Sequence, residues 1–369
     1  MEKNKKKLIF FMPSMDGGGV EKNLVIIANY TSAYLDKVSL ITFDNSFSNL
    51  FNKKINIIKV QKKNYQKKHK KYYKYFKCLM LLIKEFIKNR NILVFSFQAN
   101  IYVLMLSSIL GFKVISRSNS SPSGWNKSYI KNFIFKIFFN FADEIIVNSK
   151  DFKKEFLKKF RIKTKLIYNP LNKEEIIKKS KIKLNFNFFK SNKYLKIINV
   201  ARFTDQKDHL TLLKSFKIIN RKINSKLLIL GYGANESKII NFIEKNKLRN
   251  AIKIISFKSN PYNYIKKSDL FVLTSKYEGL PNVILEAQTL KKFVISSNCP
   301  TGPKEILKNG KIGNLFKVGD HKKLANLIIN FYKNRKKFNT KINQAYNDLG
   351  RFNYSKNCRE YLNVIRKKL

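Results

Sequence analysis

Two glutamates set the chemistry of this sequence. Glu278 and Glu286 stand in SDLFVLTSKYEGLPNVILEAQ with seven residues between them. Acids are scarce, 23 Asp and Glu against 76 Lys and Arg, so two carboxylates in one short apolar segment are unusual here. The run DLFVLTS reads as a strand ending at Ser275, Glu278 falls in the loop, and Pro281 suits a helix start. NVILEAQ then continues as helix and carries Glu286 in its second turn. Carboxylates placed this way can reach different hydroxyls of one ligand through charge-assisted hydrogen bonds, while the Gly279-Leu280 backbone can donate to a phosphate. The ordinary alternative is an acidic turn followed by a surface glutamate. The apolar neighbours of Glu286 speak against it.

Two cations add to the pattern. In NVARFTDQKDHLTLLKSF a strand ends at Arg202, a turn carries Lys207, and an amphipathic helix runs from Leu210 to Phe216. Such a pair at a strand's carboxyl end can clamp a diphosphate, Arg by a bidentate fork and Lys as a point charge. In so basic a chain the competing reading is two more surface charges. Near the start, MPSMDGGGVEKNLVIIANY places Gly17, Gly18 and Gly19 between a strand ending at Met12 and a helix from Val20. Glycines let backbone N–H groups approach an anion, and the helix amino terminus adds a favourable dipole. This is neither a P-loop nor a GxGxxG fingerprint, and a plain tight turn is the alternative.

The elements that position these residues alternate β-branched runs with helical patterns, as parallel sheets with crossover helices do. One series of strands comprises Lys7–Met12, Lys37–Phe43, Ile92–Phe97, Phe112–Arg117, Glu144–Ser149 and Lys165–Pro170. A second comprises Leu195–Arg202, Lys226–Gly233, Ile252–Ser256, Asp269–Ser275 and Lys292–Ser297. Between them LNKEEIIKKSKIKLNFNFFKSNK is polar and basic without a clear period, and reads as a linker over residues 172–193. A chain of 369 residues suits two α/β domains. The expectation is two doubly wound, Rossmann-like domains facing across a cleft, with ligands at the carboxyl ends of the strands.

Composition narrows the setting. Cys78, Cys299 and Cys358 are odd in number and widely spaced, which argues against a disulfide framework or a zinc site and fits a reducing cytoplasm. The apolar stretch LIFFM near the start is too short for a secretory segment and reads as a strand entering a loop. Residues from Asn91 to Phe112 carry no charge, long enough to span a bilayer, but Ser96, Gln98 and Asn100 interrupt them. They read as a buried strand, loop and helix. The net charge of +53 suits anionic partners (lipid headgroups, nucleic acid, phosphorylated substrates) or simply reflects a lysine-rich composition.

With these segments in hand, the sequence resembles the GT-B retaining glycosyltransferases of family 4. The resemblance rests on YEGLPNVILEA, which is highly specific, and on MPSMDGGGVE, VARFTDQKD, LLILGYG and SNCPTGPKEILKNGKIG in the same order. It implies a first domain over residues 1–172 that binds acceptor and a second over 173–351 that binds a nucleotide sugar. A C-terminal helix, 352–369, would pack back on the first. Arg202 and Lys207 match the pair that binds the donor diphosphate and stabilises the leaving group. Glu278 matches the carboxylate that contacts the transferred sugar, so these three are the expected catalytic residues. Glu286 matches the residue that holds the ribose hydroxyls, and Gly18, Gly19, Gly279, Leu280, Pro281 and Asn282 complete the expected donor-binding set. Within that family the sequence resembles bacterial N-acetylhexosamine transferases of surface-glycan assembly, which implies a UDP-linked donor and retention of configuration.

The family needs no metal, and no Asp-x-Asp motif is present. Many relatives carry a histidine after the strand corresponding to FKVIS; here SRSNSSPSGW stands instead, and Arg117 and Asn119 are the candidates to contact sugar or acceptor. The basic, aromatic stretches Lys62–Arg90 and Tyr129–Phe141 suit an anionic membrane interface. The expected partners are therefore a nucleotide sugar, a glycan or polyprenyl-diphosphate-linked acceptor, and the inner face of the cell membrane, reached peripherally from the cytoplasm. Two other classes compete. A nucleotide-sugar 2-epimerase shares the architecture but would need acid/base groups near the sugar. A nucleic-acid-binding protein fits the charge, but no RNA-recognition, helix-turn-helix or zinc signature is present, so no nucleic acid is expected.

Overall fold

The computed structural model describes residues 6–15, 17–43, 47–60, 71–119, 129–191 and 193–369. They form two units: 1–170 together with 354–369, and 171–353. Each unit is built on one parallel sheet.

The first sheet contains β1 (Lys7–Phe11), β2 (Val38–Thr42), β3 (Asn56–Lys59), β4 (Ile92–Ser96), β5 (Lys113–Arg117), β6 (Glu144–Val147) and β7 (Lys165–Leu166). Their order is β3-β2-β1-β4-β5-β6-β7, all pairs parallel. The second contains β8 (Leu195–Val200), β9 (Ser225–Leu230), β10 (Ile252–Ile255), β11 (Leu270–Leu273), β12 (Phe293–Ser297) and β13 (Asn314–Phe316). Its order is β10-β9-β8-β11-β12-β13, again parallel. Strands such as VSLIT, ILVFS and FVISS are buried at every position, because helices cover both faces. That is why they read as continuous apolar runs rather than alternating ones.

Strand order reverses between β1 and β4 in the first sheet and between β8 and β11 in the second. At such a point neighbouring crossovers leave to opposite faces and their loops diverge, opening space above the carboxyl ends. The glycine turn follows β1. The Arg202–Lys207 segment follows β8, and Glu278 follows β11. All three singled-out segments therefore sit at reversal points of their own sheets.

In the first unit the helix Gly19–Ser32 lies on one face of the sheet together with Tyr354–Lys368, which contributes Tyr361, Val364 and Ile365 to the core there. The helices Lys71–Lys88, Asn100–Leu110, Tyr129–Phe139 and Lys150–Phe160 cover the other face. In the second unit His209–Asn220 packs against His321–Lys333 around Leu212, Phe216, Leu324 and Ile328.

The segment read as a linker is structured. Asn172 caps a helix over Lys173–Ser180, its side chain accepting from Glu175 N, and Ile176, Phe186 and Phe189 are buried within the second unit. The helix packs on Tyr262–Lys267 and Asn282–Thr289, which explains why its apolar side is only one or two residues wide. The uncharged stretch from Asn91 forms β4 and the Asn100–Leu110 helix, and no helix of the described residues is long and apolar enough to cross a membrane. Its helix is not fully buried, however: Tyr102, Met105 and Ile109 face outward. All three cysteines are buried, and no disulfide joins them.

Candidate active site

Asp208 shapes the loop after β8. Its backbone takes the left-handed conformation (φ 46°), and its carboxylate accepts from Thr211 N at 3.3 Å and from Thr211 Oγ1 at 2.7 Å, starting the His209–Asn220 helix. Capping at this point fixes the preceding turn, Asp205–Lys207, beside the β11 loop. Thr274 Oγ1 donates to Lys207 O at 2.9 Å, Lys276 N donates to Gln206 O at 2.7 Å, and Gln206 Nε2 donates to Tyr277 O at 2.8 Å. The two loops are thereby laced together.

The lacing places Lys207 Nζ 2.5 Å from Glu278 Oε1. Ser275 Oγ donates to the same oxygen at 2.6 Å, and Ser297 Oγ donates to Ser275 O at 2.6 Å. Glu278 Oε2 makes no hydrogen bond with the described residues. One carboxylate oxygen is thus anchored and the other is left to accept from a ligand. The side chains of Lys207 and Glu278 are 15% and 7% exposed, so little water screens the pair. Arg202 is exposed, and its guanidinium makes no hydrogen bond or ion pair with the described residues. Of the two cations one is committed and one is available.

Glycines allow the approach of a third loop. Gly302 has φ +78°, and a Cβ there would lie 1.9 Å from Gly279 O and 2.8 Å from Pro281 Cδ. Thr301 Oγ1 donates to Glu278 O at 2.5 Å, and Glu278 N donates to Pro300 O at 3.4 Å. The PTG segment after β12 therefore backs the EGLP turn. Similarly, a Cβ on Gly231 after β9 would meet Ala201 O at 1.9 Å, so that glycine seats the Arg202 loop. Beyond the turn, Pro281 leads into Asn282–Thr289, where Glu286 is buried in the second turn.

Two buried titratable groups border this cluster. Burial, and next the Lys207 ammonium, push the His209 imidazole down to about 4; its ring packs edge-on against Phe203, and neither nitrogen finds a hydrogen-bond partner among the described residues. Burial, and next the Glu278 carboxylate, push the Cys299 thiol up to about 12, which leaves it an inert packing group.

In the first unit Gly17 takes φ +73°, Gly18 caps the helix, and Gly19 begins it. Ser14 N donates to Gln98 Oε1 at 2.8 Å, joining this turn to the end of β4. A Cβ on Gly18 would fall 2.8 Å from Glu21 Oε2, so a carboxylate sits over the same helix start that reads as an anion cradle. Arg117 is fully buried. It donates to Tyr361 Oη at 3.1 Å, to Asn169 Oδ1 at 2.7 Å and to Asn119 Oδ1, and lies over the Phe97 ring. Neutral acceptors and a ring face thus compensate a desolvated cation. Asn119 is part-exposed and donates to Phe97 O at 2.7 Å. Residues 120–128, the rest of the SRSNSSPSGW segment, lie outside the described residues, as do 61–70 of the first basic stretch.

Arg202, Lys207, Glu278, Gly279, Leu280, Pro281, Asn282 and Glu286 all belong to the second unit, where direct contact joins Lys207 to Glu278. Gly18, Gly19, Arg117 and Asn119 belong to the first. Sequence reasoning passed over Ser275, Thr301, Glu21 and Tyr361. Ser275, Thr301 and Glu21 lie in quoted segments but were given no role there, and Tyr361 lies in none. Among the described residues no group of three or more His, Cys, Asp or Glu is placed to hold a metal ion.

Two parallel doubly wound units, with basic and acidic loops at the strand-order reversal of the second, form a GT-B architecture. Residues 180–348, most of the second unit, match the family described as glycosyl transferases group 1. An uncharacterised glycosyltransferase of Methanocaldococcus jannaschii is 35% identical over 214 residues, 56% of this chain and 52% of that protein. The chain spans about half the length of the first curated relatives it matches. A Campylobacter jejuni α-1,4-N-acetyl-D-galactosaminyltransferase, named for a GalNAc-GalNAc-diNAcBac-PP-undecaprenol substrate, is 23% identical over 97% of this chain and 98% of its own. Anabaena HepE, solved in complex with UDP-glucose, superposes with a TM-score of 0.78 at 18% identity, covering 99% of this chain and 100% of that one; at that identity the likeness is one of fold.

Proposed function

We propose that the protein transfers a sugar from a UDP-linked donor to a glycan or polyprenyl-diphosphate-linked acceptor, with retention of configuration and without a metal ion, in surface-glycan assembly. The observation that carries this reading is the Lys207–Glu278 pair, with Arg202 exposed and unengaged on the same loop after β8. As the glycosidic bond breaks, negative charge grows on the departing diphosphate and positive charge on the sugar. Arg202 and Lys207 would face the first, and the free oxygen of Glu278 would accept from a sugar hydroxyl and face the second. Fixed groups of this kind stabilise charge without reorganising as it develops. Glu286 would hold the ribose hydroxyls. Asn119, and Arg117 through it, would border the acceptor.

Support for the donor comes from HepE, solved with UDP-glucose, and for the acceptor from the Campylobacter relative, named for a lipid-linked one. Peripheral attachment to an anionic membrane at the cytoplasmic face belongs to the same reading, since such an acceptor is held there.

The test is a thermal-shift screen of nucleotide sugars, followed by mass spectrometry of products on undecaprenyl-diphosphate glycans and assignment of the new anomeric centre by NMR. A UDP-sugar should raise the midpoint, and product should appear only with acceptor. Conversion of a UDP-sugar without acceptor would overturn transfer in favour of epimerisation, and an inverted product would overturn retention.

A further inference from the structure

Three neighbouring helices on one face of the first sheet turn apolar side chains outward. On Lys71–Lys88, Phe76 and Met80 stand one turn apart and are exposed, away from buried Cys78 and Leu82. On Asn100–Leu110, which carries no charged residue, Met105 and Ile109 form the outward ridge, opposite buried Val103 and Leu104. On Tyr129–Phe139, Phe133 and Ile137 do the same, opposite buried Phe139. The helices adjoin: the Tyr75 and Tyr102 rings meet at 5.9 Å, and the second and third pack directly. The three outer faces are therefore one surface.

Single exposed apolar residues are ordinary, but a contiguous patch contributed by three helices signals something that covers it. Cations share these helices: Lys84, Lys88 and Lys136 are exposed. The chain as a whole carries +53. Two copies meeting through this face would bring like charges together, whereas an anionic lipid surface would gain from the same charge. No helix of the described residues can span a bilayer, so the contact would be interfacial, with ring and aliphatic groups at the level of the headgroups.

We infer that the outer faces of Lys71–Lys88, Asn100–Leu110 and Tyr129–Phe139 form one membrane-docking surface, in which the uncharged middle helix enters the acyl boundary of an anionic leaflet and the flanking lysines engage its headgroups. The inference deepens the acceptor reading above and takes its purpose from it. It adds the middle helix, whose apolar sequence otherwise reads as core.

The test uses the full chain and vesicles of phosphatidylcholine with phosphatidylglycerol, measured by co-sedimentation without any sugar donor. Ile109 and Phe133 are chosen because they are the most exposed of the six, at 80% and 65%. Ile109→Glu with Phe133→Glu should weaken partitioning by about a hundredfold, roughly tenfold for each large apolar group withdrawn. Ile240→Glu, which adds one such charge at an exposed apolar site on the second unit, should leave partitioning unchanged. Ile109→Ser with Phe133→Ser adds no charge and should lose in the same direction. Binding by the Glu pair equal to wild type overturns the inference, and so does an equal loss in Ile240→Glu, which would make attraction purely electrostatic. Sedimentation of the lipid-free protein as a dimer that the Glu pair dissociates would assign the face to a second copy instead. Thermal shift with UDP is read in parallel: vesicle binding lost with the UDP shift kept separates this surface from the donor site.

Discussion

Removing either partner of the Lys207–Glu278 pair should have opposite effects on nucleotide binding and similar effects on stability. The perturbations are Lys207→Met, Glu278→Gln and the two together. Because the side chains are 15% and 7% exposed, each single variant strands a largely desolvated polar or charged group. Breaking one side of a fully buried pair costs about 3–5 kcal/mol. Residual access of water to Lys207 lowers this, so about 2–3 kcal/mol is expected for each single variant. The double variant removes both charges and should be less destabilised than the sum by about 1–2 kcal/mol. Ligand binding separates the partners. Lys207→Met would lose the charged contact to diphosphate proposed above, and its Kd for UDP should then rise about tenfold to a hundredfold. Glu278→Gln frees the ammonium from its carboxylate, so UDP should bind as well as before or better, while transfer falls by about two orders of magnitude. Denaturant midpoints give the stabilities, titration calorimetry gives the Kd values, and product formation gives the rates. Coupling near zero, or equal UDP affinity in both single variants, would refute the roles assigned to the pair.

Two other perturbations test neighbouring features. The His209 imidazole sits at about 4 in the folded chain against about 6.5 unfolded, so the unfolded chain binds the extra proton between those values. The folded state should then lose about 3 kcal/mol as pH falls from 6.5 to 4, and stability should be fully present above that window. His209→Phe, which keeps the ring against Phe203, should flatten this dependence in denaturation curves; an unchanged slope would sink the account. Gly302→Ala drives a methyl into Gly279 O and demands a left-handed backbone, so the second unit should lose about 2 kcal/mol or more and transfer should disappear. Wild-type transfer in that variant would show that the PTG segment does not set the EGLP turn.

The central strands were legible because burial on both faces leaves long β-branched runs. The edges were not. β3 and β13 are four and three residues long, and NIIK and NLF carry too few apolar positions to stand out from their surroundings. The Lys173–Ser180 helix was read as linker because its lysines mask a single buried row at Ile176. Within the site, residue types at strand ends marked Arg202, Lys207, Glu278 and Glu286, since each lies in a segment with a recognisable turn. Ser275 could not be marked: a serine ending a strand is common, and its hydrogen bond to Glu278 follows only from the turn's closure. Nor could Glu21, whose position over Gly18 depends on the first turn of its helix. Arg117 stands out in sequence as a cation at a strand end like Arg202, yet it is buried behind Asn119 and tied to a helix some 240 residues further along the chain. Identical local pattern leads to opposite exposure when a distant element covers one strand end and leaves the other open.

That contrast bears on how so basic a chain would hold the specific anion site proposed above. Seventy-six cations give attraction everywhere and selectivity nowhere. Selectivity needs a cation whose position is fixed before the ligand arrives and whose neighbours leave it an unmet interaction. Lys207 has the fixed position, supplied by Thr274, the Asp208 cap and Glu278. Arg202 has the unmet interaction, standing exposed at the end of β8 over a loop that Gly231 and Gly233 hold close. Glu278 has both: one oxygen is pinned by two donors and the other is open. A diphosphate that draws Lys207 toward itself would weaken the hold on the first oxygen and leave the carboxylate more basic toward the sugar as charge develops there. Donor binding and sugar activation would then be coupled through a single 2.5 Å contact, and the stability and affinity changes in the Lys207–Glu278 cycle measure the two sides of that coupling.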